Sequence, residues 1–195
     1  MSLSVPLFDS RIDDADAEDA VTTLLRFIGE DPSREGLADT PERVVRAWRE
    51  MTAGYQEDPA EILSRTFDES SDELIILRGI SFYSMCEHHL LPFYGDACVG
   101  YLPGKVVGIS KLARLVNCFA HRLQVQERMT RQIADAIKTH LDARGVGVIL
   151  RAHHLCMGCR GVRQQDTDMV TSSMLGTLRT DATSRSEFLR LCKVS

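Results

Sequence analysis

One thiol and two imidazole groups fall within four consecutive positions in the stretch Ser84-Met85-Cys86-Glu87-His88-His89. A second cluster follows much later, in the stretch His153-His154-Leu155-Cys156-Met157-Gly158-Cys159-Arg160. A Cys-x-x-His spacing is typical of two ligands on one metal ion, and a distant cysteine can supply a third. Thiolate and imidazole ligands favour zinc over magnesium or calcium, which prefer oxygen. The two stretches therefore predict a zinc site, and the fold must bring them together.

The spacing leaves two ligand sets open. A closed tetrahedral cage, which would only stabilise the fold, would use the four ligands Cys86, His89, Cys156 and Cys159. If Cys159 does not bind, the fourth position is open to a water molecule, which the metal makes nucleophilic near neutral pH. His88 and His154 lie beside these ligands without being needed as ligands. They are candidates for proton transfer, and a supporting polar role is the alternative.

The composition is that of a globular chain, with 195 residues, a hydrophobic fraction of 44% and a charged fraction of 26%. The net charge of −5 argues against general nucleic-acid binding. Residues 1–14 lack the basic start and apolar run of a secretory signal, and no stretch is apolar enough to span a membrane. We therefore expect a cytoplasmic protein, whose six cysteines are buried or bind metal rather than forming disulfides.

Periodic apolar residues predict helices mixed with strands. The predicted helices span Asp13–Glu30, begin at Thr40 and at Ser110 as N-caps, cover about Gln124–Ala143, and end the chain around Arg185–Leu191. The second helix is expected to bury the stripe Val44, Val45, Trp48 and Met51. The predicted strands are Glu73–Ile80, Ala97–Tyr101, Val146–Ala152 and Met169–Leu178. We infer an α+β fold with an N-terminal helical segment, residues 1–65, and a catalytic domain, residues 66–195.

Basic residues gather where helices begin or metal ligands end. Lys111 and Arg114 lie one turn apart at a predicted helix N-terminus, where unpaired N–H groups already favour an anion. Arg160 follows the second metal stretch directly, and Arg43 and Arg46 share a face of an earlier helix. These positions favour a phosphate-bearing substrate beside the zinc, although ordinary solvated helix faces would have the same composition.

One carboxamide and one carboxylate are adjacent at Gln126 and Glu127. Together they could read the donor and acceptor edge of a planar base. Helix surfaces are rich in both residue types, so the pair indicates a base-binding site only weakly on its own.

The motifs above closely resemble those of the GTP cyclohydrolase I family, zinc enzymes that open the guanine ring of GTP and form 7,8-dihydroneopterin triphosphate. The shared motifs are Ser84–His89, Gly108–Arg114, Arg122–Arg128, His154–Met157 and Arg160–Val162. The resemblance extends from about Glu30 to Leu191 and includes Thr40–Arg43, Thr171–Gly176 and Glu187–Leu189. Several long motifs in one order are not expected by chance.

The resemblance implies one zinc ion per subunit, bound by Cys86, His89 and Cys156, with Cys159 outside the ligand set. It implies hydrolytic attack at C8 of guanine, loss of C8 as formate, and reclosure as a pterin. It assigns the proton transfers and nearby substrate contacts to His88, His154 and Ser110. His154 is the residue expected to protonate the ring nitrogen next to C8.

The resemblance also implies a binding mode for GTP and an assembly. Guanine recognition matches Gln126 and Glu127, and triphosphate contacts match Lys111, Arg114, Arg160, Arg43 and Arg46. The implied fold is the T-fold, an antiparallel sheet with a packed helix pair. The implied assembly is a homodecamer of two pentamers with active sites at subunit boundaries, and the sequence gives no indication of a regulatory partner or of nucleic-acid or membrane binding.

Two other functions remain open. A paralogue could act on another purine or pterin, as the nitrile reductase of queuosine biosynthesis does, although that enzyme lacks the Cys/His triad. A non-catalytic, zinc-stabilised oligomer that binds nucleotide is the second alternative. Departures from the family pattern occur at Cys98, Arg151, His153 and a loop at 103–108 that is one residue shorter. We expect no metal role for Cys98, and none of these departures touches the predicted ligands.

Overall fold

An antiparallel sheet with two helices packed against it forms the centre of the fold in the computed structural model, which describes residues 12–69 and 71–192. The helices are α1 (Asp14–Phe27), α2 (Thr40–Met51), α3 (Pro59–Leu63), α4 (Ile109–Ala120), α5 (Gln126–His140), α6 (Leu155–Gly158), α7 (Thr177–Thr180) and α8 (Ala182–Cys192). The strands are β1 (Thr66–Phe67), β2 (Ile75–Cys86), β3 (Leu91–Leu102), β4 (Val106–Val107), β5 (Leu123–Gln124), β6 (Gly145–His154) and β7 (Met169–Gly176). Helices α1 to α3 precede the first strand, and the later helices lie between or after the strands. The predicted α+β class is confirmed.

The order of strands in the main sheet is β5-β2-β3-β6-β7. All neighbours are antiparallel except the short β2–β5 pair. The register pairs Cys86 with Leu91 and Phe93 with His154. The end of β2 and the end of β6 therefore flank the start of β3, and this places the two metal-binding stretches at the same end of the sheet.

Helices α4 and α5 cover one face of the sheet. Their apolar stripes are fully buried and include Leu112, Leu115, Val116, Met129, Ile133 and Ile137. Burying each such side chain contributes about 1.5–3 kcal/mol relative to leaving it exposed. The helix pair predicted from periodicity is confirmed, although α4 begins at Ile109 with Gly108 as its N-cap. The prediction that Ser110 caps this helix is therefore wrong, because Ser110 lies inside its first turn.

Helix α8 packs on the opposite face of the same sheet. Phe188 has 0% exposure and lies against two strand glycines. A Cβ atom would lie 2.8 Å from the Phe188 ring at Gly100 and 2.7 Å from it at Gly147, so any larger residue would displace the ring. A disulfide joins Cys98 on β3 to Cys192 at the end of α8. The expectation that the cysteines form no disulfides is therefore wrong for these two residues.

The N-terminal helices α1 and α2 pack on each other without burying any residue of either helix. A groove of about 690 Å³ lies along this pair and is lined by side chains that include Val21, Leu24, Val45 and Trp48. Trp48 and Met51 each remain 36% exposed. The prediction of a buried stripe on the second helix is thus wrong for the single subunit: its apolar face exists, but it lines an open groove. Across residues 12–69 and 71–192, the helices are too short or too polar to cross a membrane.

Candidate metal centre and active site

Two thiols and one imidazole converge where β2, the following turn and α6 meet. Cys86 ends β2, His89 lies in the turn, and Cys156 lies in the single turn of α6. Their ligand atoms all lie within 4.8 Å of one another, and Cys86 Sγ is 3.9 Å from His89 Nδ1. Around a tetrahedral zinc ion, bond lengths of about 2.3 Å to sulfur and about 2.1 Å to nitrogen put these two atoms about 3.6 Å apart. The donor set therefore fits zinc in both chemistry and spacing.

The turn after β2 directs His89 back towards Cys86. The amides of His89 and Leu90 donate hydrogen bonds to the Cys86 carbonyl at 3.4 and 2.9 Å. Leu90 has φ 54°, a left-handed conformation that non-glycine residues rarely adopt. Such conformations persist where the surrounding structure enforces them, often at functional sites.

Contacts to β5 and to the first turn of α5 hold the same turn in place. The Glu87 amide donates to the Gln124 carbonyl at 3.1 Å, and the Glu87 carboxylate forms an ion pair with Arg128. The Arg128 guanidinium, chiefly through its hydrogen bond, lowers the pKa of Glu87. Arg128 also donates to the side-chain oxygen of Gln124 at 3.2 Å. The metal-binding turn is thus connected to β5 and to the first turn of α5, the helix that begins with Gln126 and Glu127.

Burial and the neighbouring Cys86 thiol raise the pKa of Cys156, with burial the larger cause. Two thiolates so close together would repel each other, and a bound cation removes that repulsion. Cys159, whose role the spacing left open, is exposed and lies outside the group formed by Cys86, His89 and Cys156. β6 extends two residues beyond the predicted Ala152 and ends at His154, and α6 carries Cys156.

The two surplus histidines have different surroundings. His88 is exposed, with its Nδ1 3.9 Å from Cys86 Sγ. His154 is half-buried, stacks on Phe93 with ring centroids 4.6 Å apart, and places Nε2 2.8 Å from Gln126 Oε1. Burial lowers the pKa of His154, against a smaller opposite effect of Glu127. A lowered pKa favours the neutral imidazole at neutral pH.

The predicted substrate-binding residues occupy different environments. Gln126 is 1% exposed and begins α5, whereas the adjacent Glu127 is exposed. The predicted catalytic Ser110 and the predicted triphosphate ligands Lys111, Arg114 and Arg160 have exposed or half-buried side chains. On α2, Arg43 pairs with Asp39 at 2.9 Å and Arg46 with Glu42 at 3.1 Å, and both pairs are exposed. Such pairs are weak, so they leave both guanidinium groups available to an anion.

The profile of the GTP cyclohydrolase I family matches residues 17–193. The chain belongs to the GTP cyclohydrolase I family.

Several proteins named GTP cyclohydrolase 1 are similar to this chain over most of its length. A GTP cyclohydrolase 1 of Nitrosospira multiformis is 58% identical over 173 residues, which are 87% of this chain and 91% of that protein. The GTP cyclohydrolase 1 of Coxiella burnetii is 55% identical over 177 residues, covering 90% and 96% of the two chains. That of Chlorobaculum tepidum is 54% identical over 175 residues, covering 89% and 78%. A solved structure of the archaeosine synthase QueF-Like, in the apo form, aligns with a TM-score of 0.46 at 16% identity, covering 55% of this chain and 97% of that one.

In this family member, sequence reasoning missed three residues around His154. Phe93 stacks on the His154 ring. Thr130 and Thr171 hydrogen-bond to each other at 2.7 Å beside Gln126. The signal for Phe93 was its place in an alternating strand opposite the predicted histidine. Thr130 follows Gln126 by one helical turn, which puts both residues on one face of α5.

Proposed function

We propose that this enzyme is a zinc-dependent GTP cyclohydrolase I that opens the imidazole ring of GTP at C8, releases formate and forms 7,8-dihydroneopterin triphosphate. The observation that carries the proposal is the convergence of Cys86, His89 and Cys156 within 4.8 Å in a chain of this family. The position of Cys159 supports a catalytic site rather than a structural cage, because Cys159 lies outside the group of clustered ligand atoms.

Zinc would be held by Cys86, His89 and Cys156, which leaves a fourth coordination position open. When bound, the ion supplies Lewis-acid chemistry that makes water nucleophilic near neutral pH. His154 lies two residues before Cys156, and its neutral imidazole can accept a proton or, once charged, return it to a ring nitrogen. His88 and Ser110, both exposed, are the groups we assign to the later acid–base steps.

The substrate would extend from the metal centre along basic residues. Of the pair predicted to recognise guanine, Glu127 has the exposed side chain and Gln126 lies in the interior. The triphosphate ligands in this proposal are Lys111, Arg114, Arg160, Arg43 and Arg46. Binding the triphosphate far from C8 uses remote binding energy to hold the reacting carbon at the metal centre.

We also propose a homodecamer of two stacked pentamers, with active sites completed at subunit boundaries. The unburied apolar faces of α1 and α2 support an oligomer, since large exposed apolar surfaces mark interaction sites. Light scattering during size-exclusion chromatography would give ten times the 21.8 kDa subunit mass. A monomer mass would overturn the assembly.

The test of the activity is to mix zinc-loaded protein with GTP and record formate release together with near-ultraviolet pterin absorbance. Both signals are expected from the unchanged protein and from Cys159→Ala, the matched control. Both should be lost in Cys156→Ala and in His154→Ala. Formate without pterin would instead indicate a paralogue with different later chemistry, and neither signal, with Cys159 bound to zinc, would indicate a structural cage.

A further inference from the structure

The side chain of Gln126 is buried and forms its hydrogen bonds within the protein. Its side-chain nitrogen lies 3.1 Å from the Leu150 carbonyl, 2.9 Å from the Met169 carbonyl and 3.0 Å from Thr171 Oγ1. Its side-chain oxygen lies 2.8 Å from His154 Nε2. Every polar atom of the carboxamide therefore has a partner within the protein.

These partners fix which way the carboxamide points. Backbone carbonyls only accept hydrogen bonds, so the group facing Leu150 and Met169 must be the NH₂. The carboxamide oxygen must then face His154, and this oxygen also only accepts. His154 Nε2 must therefore carry a proton and donate it to Gln126. In the neutral ring, Nδ1 is left as the unprotonated nitrogen.

Two threonine hydroxyls support the same orientation. Thr130 Oγ1 lies 2.6 Å from the Gln126 backbone carbonyl, to which it must donate its single hydrogen. In the 2.7 Å contact between the two hydroxyls, the donor must therefore be Thr171. Thr171 Oγ1 can then accept from the Gln126 NH₂ group, whose two hydrogens are shared among this oxygen and the Leu150 and Met169 carbonyls. Each hydroxyl hydrogen has one assignment, and each agrees with Gln126 Oε1 facing the histidine.

A second contact fixes the plane of the His154 ring. Phe93, which is 0% exposed, stacks on it with an angle of 6° between the rings. The stack prevents tilting, and the hydrogen bond to Gln126 prevents rotation of the ring by half a turn. Together they hold one tautomer in one orientation.

We propose that Gln126 is a positioning residue that fixes the ring orientation and the Nε2–H tautomer of His154 and leaves Nδ1 as its unprotonated ring nitrogen. Thr130 and Thr171 orient Gln126 for this task. Recognition of guanine by a side chain of this pair is then left to Glu127. The inference rests on the proposed function, in which His154 transfers protons to and from the substrate.

Steady-state kinetics of formate release separate positioning from base recognition. Replacing Gln126 by Met keeps the size of the side chain but removes the acceptor for His154. In Gln126→Met, the His154 Nε2–H group loses its buried acceptor, so the imidazole is no longer held in one tautomer. We therefore expect Gln126→Met to lower kcat by about tenfold or more and to change KM by less than about twofold. The matched neighbour variant Glu127→Gln should instead raise KM. A raised KM with unchanged kcat in Gln126→Met would overturn the inference, as would unchanged kinetics.

A measurement without turnover keeps the inference testable if Gln126→Met does not fold. Solid-state ¹⁵N NMR of histidine-labelled, zinc-loaded protein distinguishes the two neutral tautomers, and the His154 signal is the one absent in His154→Ala. We expect protonated Nε2 and unprotonated Nδ1; the opposite tautomer would overturn the inference even if GTP is turned over. No formate from the unchanged protein would refute the proposed function instead, and the NMR result would still decide the tautomer.

Discussion

Removing the disulfide between Cys98 and Cys192 should destabilise the fold without changing catalysis. The bond joins β3 to the end of α8 across a sequence separation of 94 residues. A cross-link that closes a loop of this length lowers the entropy of the unfolded chain by the equivalent of about 4.7 kcal/mol at 25 °C. Measured effects are commonly smaller, so we expect the double variant Cys98→Ser/Cys192→Ser to lose about 2–4 kcal/mol of unfolding free energy.

The distance from the disulfide to the site explains why activity should persist. Cys98 pairs with Ile149, and this row of the sheet is five residues from the row that pairs Phe93 with His154. At about 3.4 Å per residue, the two rows are about 17 Å apart. The kcat for GTP should therefore match that of the unchanged protein.

Thiol counting and urea unfolding test this prediction. The protein unfolded without reductant should show four free thiols, those of Cys86, Cys118, Cys156 and Cys159. A phosphine reductant should lower the urea midpoint of the unchanged protein and leave that of the double variant where it is. Six free thiols in the protein as isolated, or equal midpoints with and without reductant, would refute the reasoning.

Three further predictions concern packing, thiol reactivity and the metal. Phe188→Ala should cost about 3–5 kcal/mol of unfolding free energy in urea, because the ring fills a fully buried site, whereas Phe188→Leu should cost less. Burial raises the pKa of Cys118 to about 11, so its thiol stays protonated at about pH 8. It should therefore react with iodoacetamide far more slowly than the exposed Cys159, as mass spectrometry of the labelled peptides would show. Equal rates of labelling would contradict the burial of Cys118. Zinc should protect Cys86 and Cys156 from the same reagent, and a chelator should remove that protection; protection of Cys159 by zinc would instead indicate the closed cage.

The central helices and strands were predictable because the spacing of their apolar residues indicates which side chains are buried. The stripe on α5 repeats at helical spacing and is buried throughout, as the pattern indicated. On α2 the same kind of stripe lines an open groove, with Trp48 still 36% exposed. Periodicity identifies an apolar face but not the surface that covers it. The covering surface of α2 could not be found from the sequence of a single subunit.

The disulfide was not predictable for a different reason. Cys98 and Cys192 are separated by 94 residues, and their proximity depends on α8 crossing back over β3. Spacing carries information about ligands only when they share a turn, as Cys86 and His89 do. Spacing alone could not decide between the closed and the open zinc site. That decision depends on where Cys159 lies once α6 has formed, and in the structure Cys159 is exposed.

The burial of Gln126, by contrast, was predictable from the sequence. Neighbouring helix positions differ by about 100° in direction, so Gln126 and Glu127 need not face the same surroundings. Extended by one turn towards its start, the buried stripe of α5 passes through Gln126, because Gln126, Thr130, Ile133 and Ile137 recur at helical spacing. A glutamine on a buried stripe needs hydrogen-bond partners inside the protein, and Gln126 finds them in the Leu150 and Met169 carbonyls and in His154. Periodicity therefore predicts that the two side chains lie on different sides of the helix, as the buried Gln126 and the exposed Glu127 do.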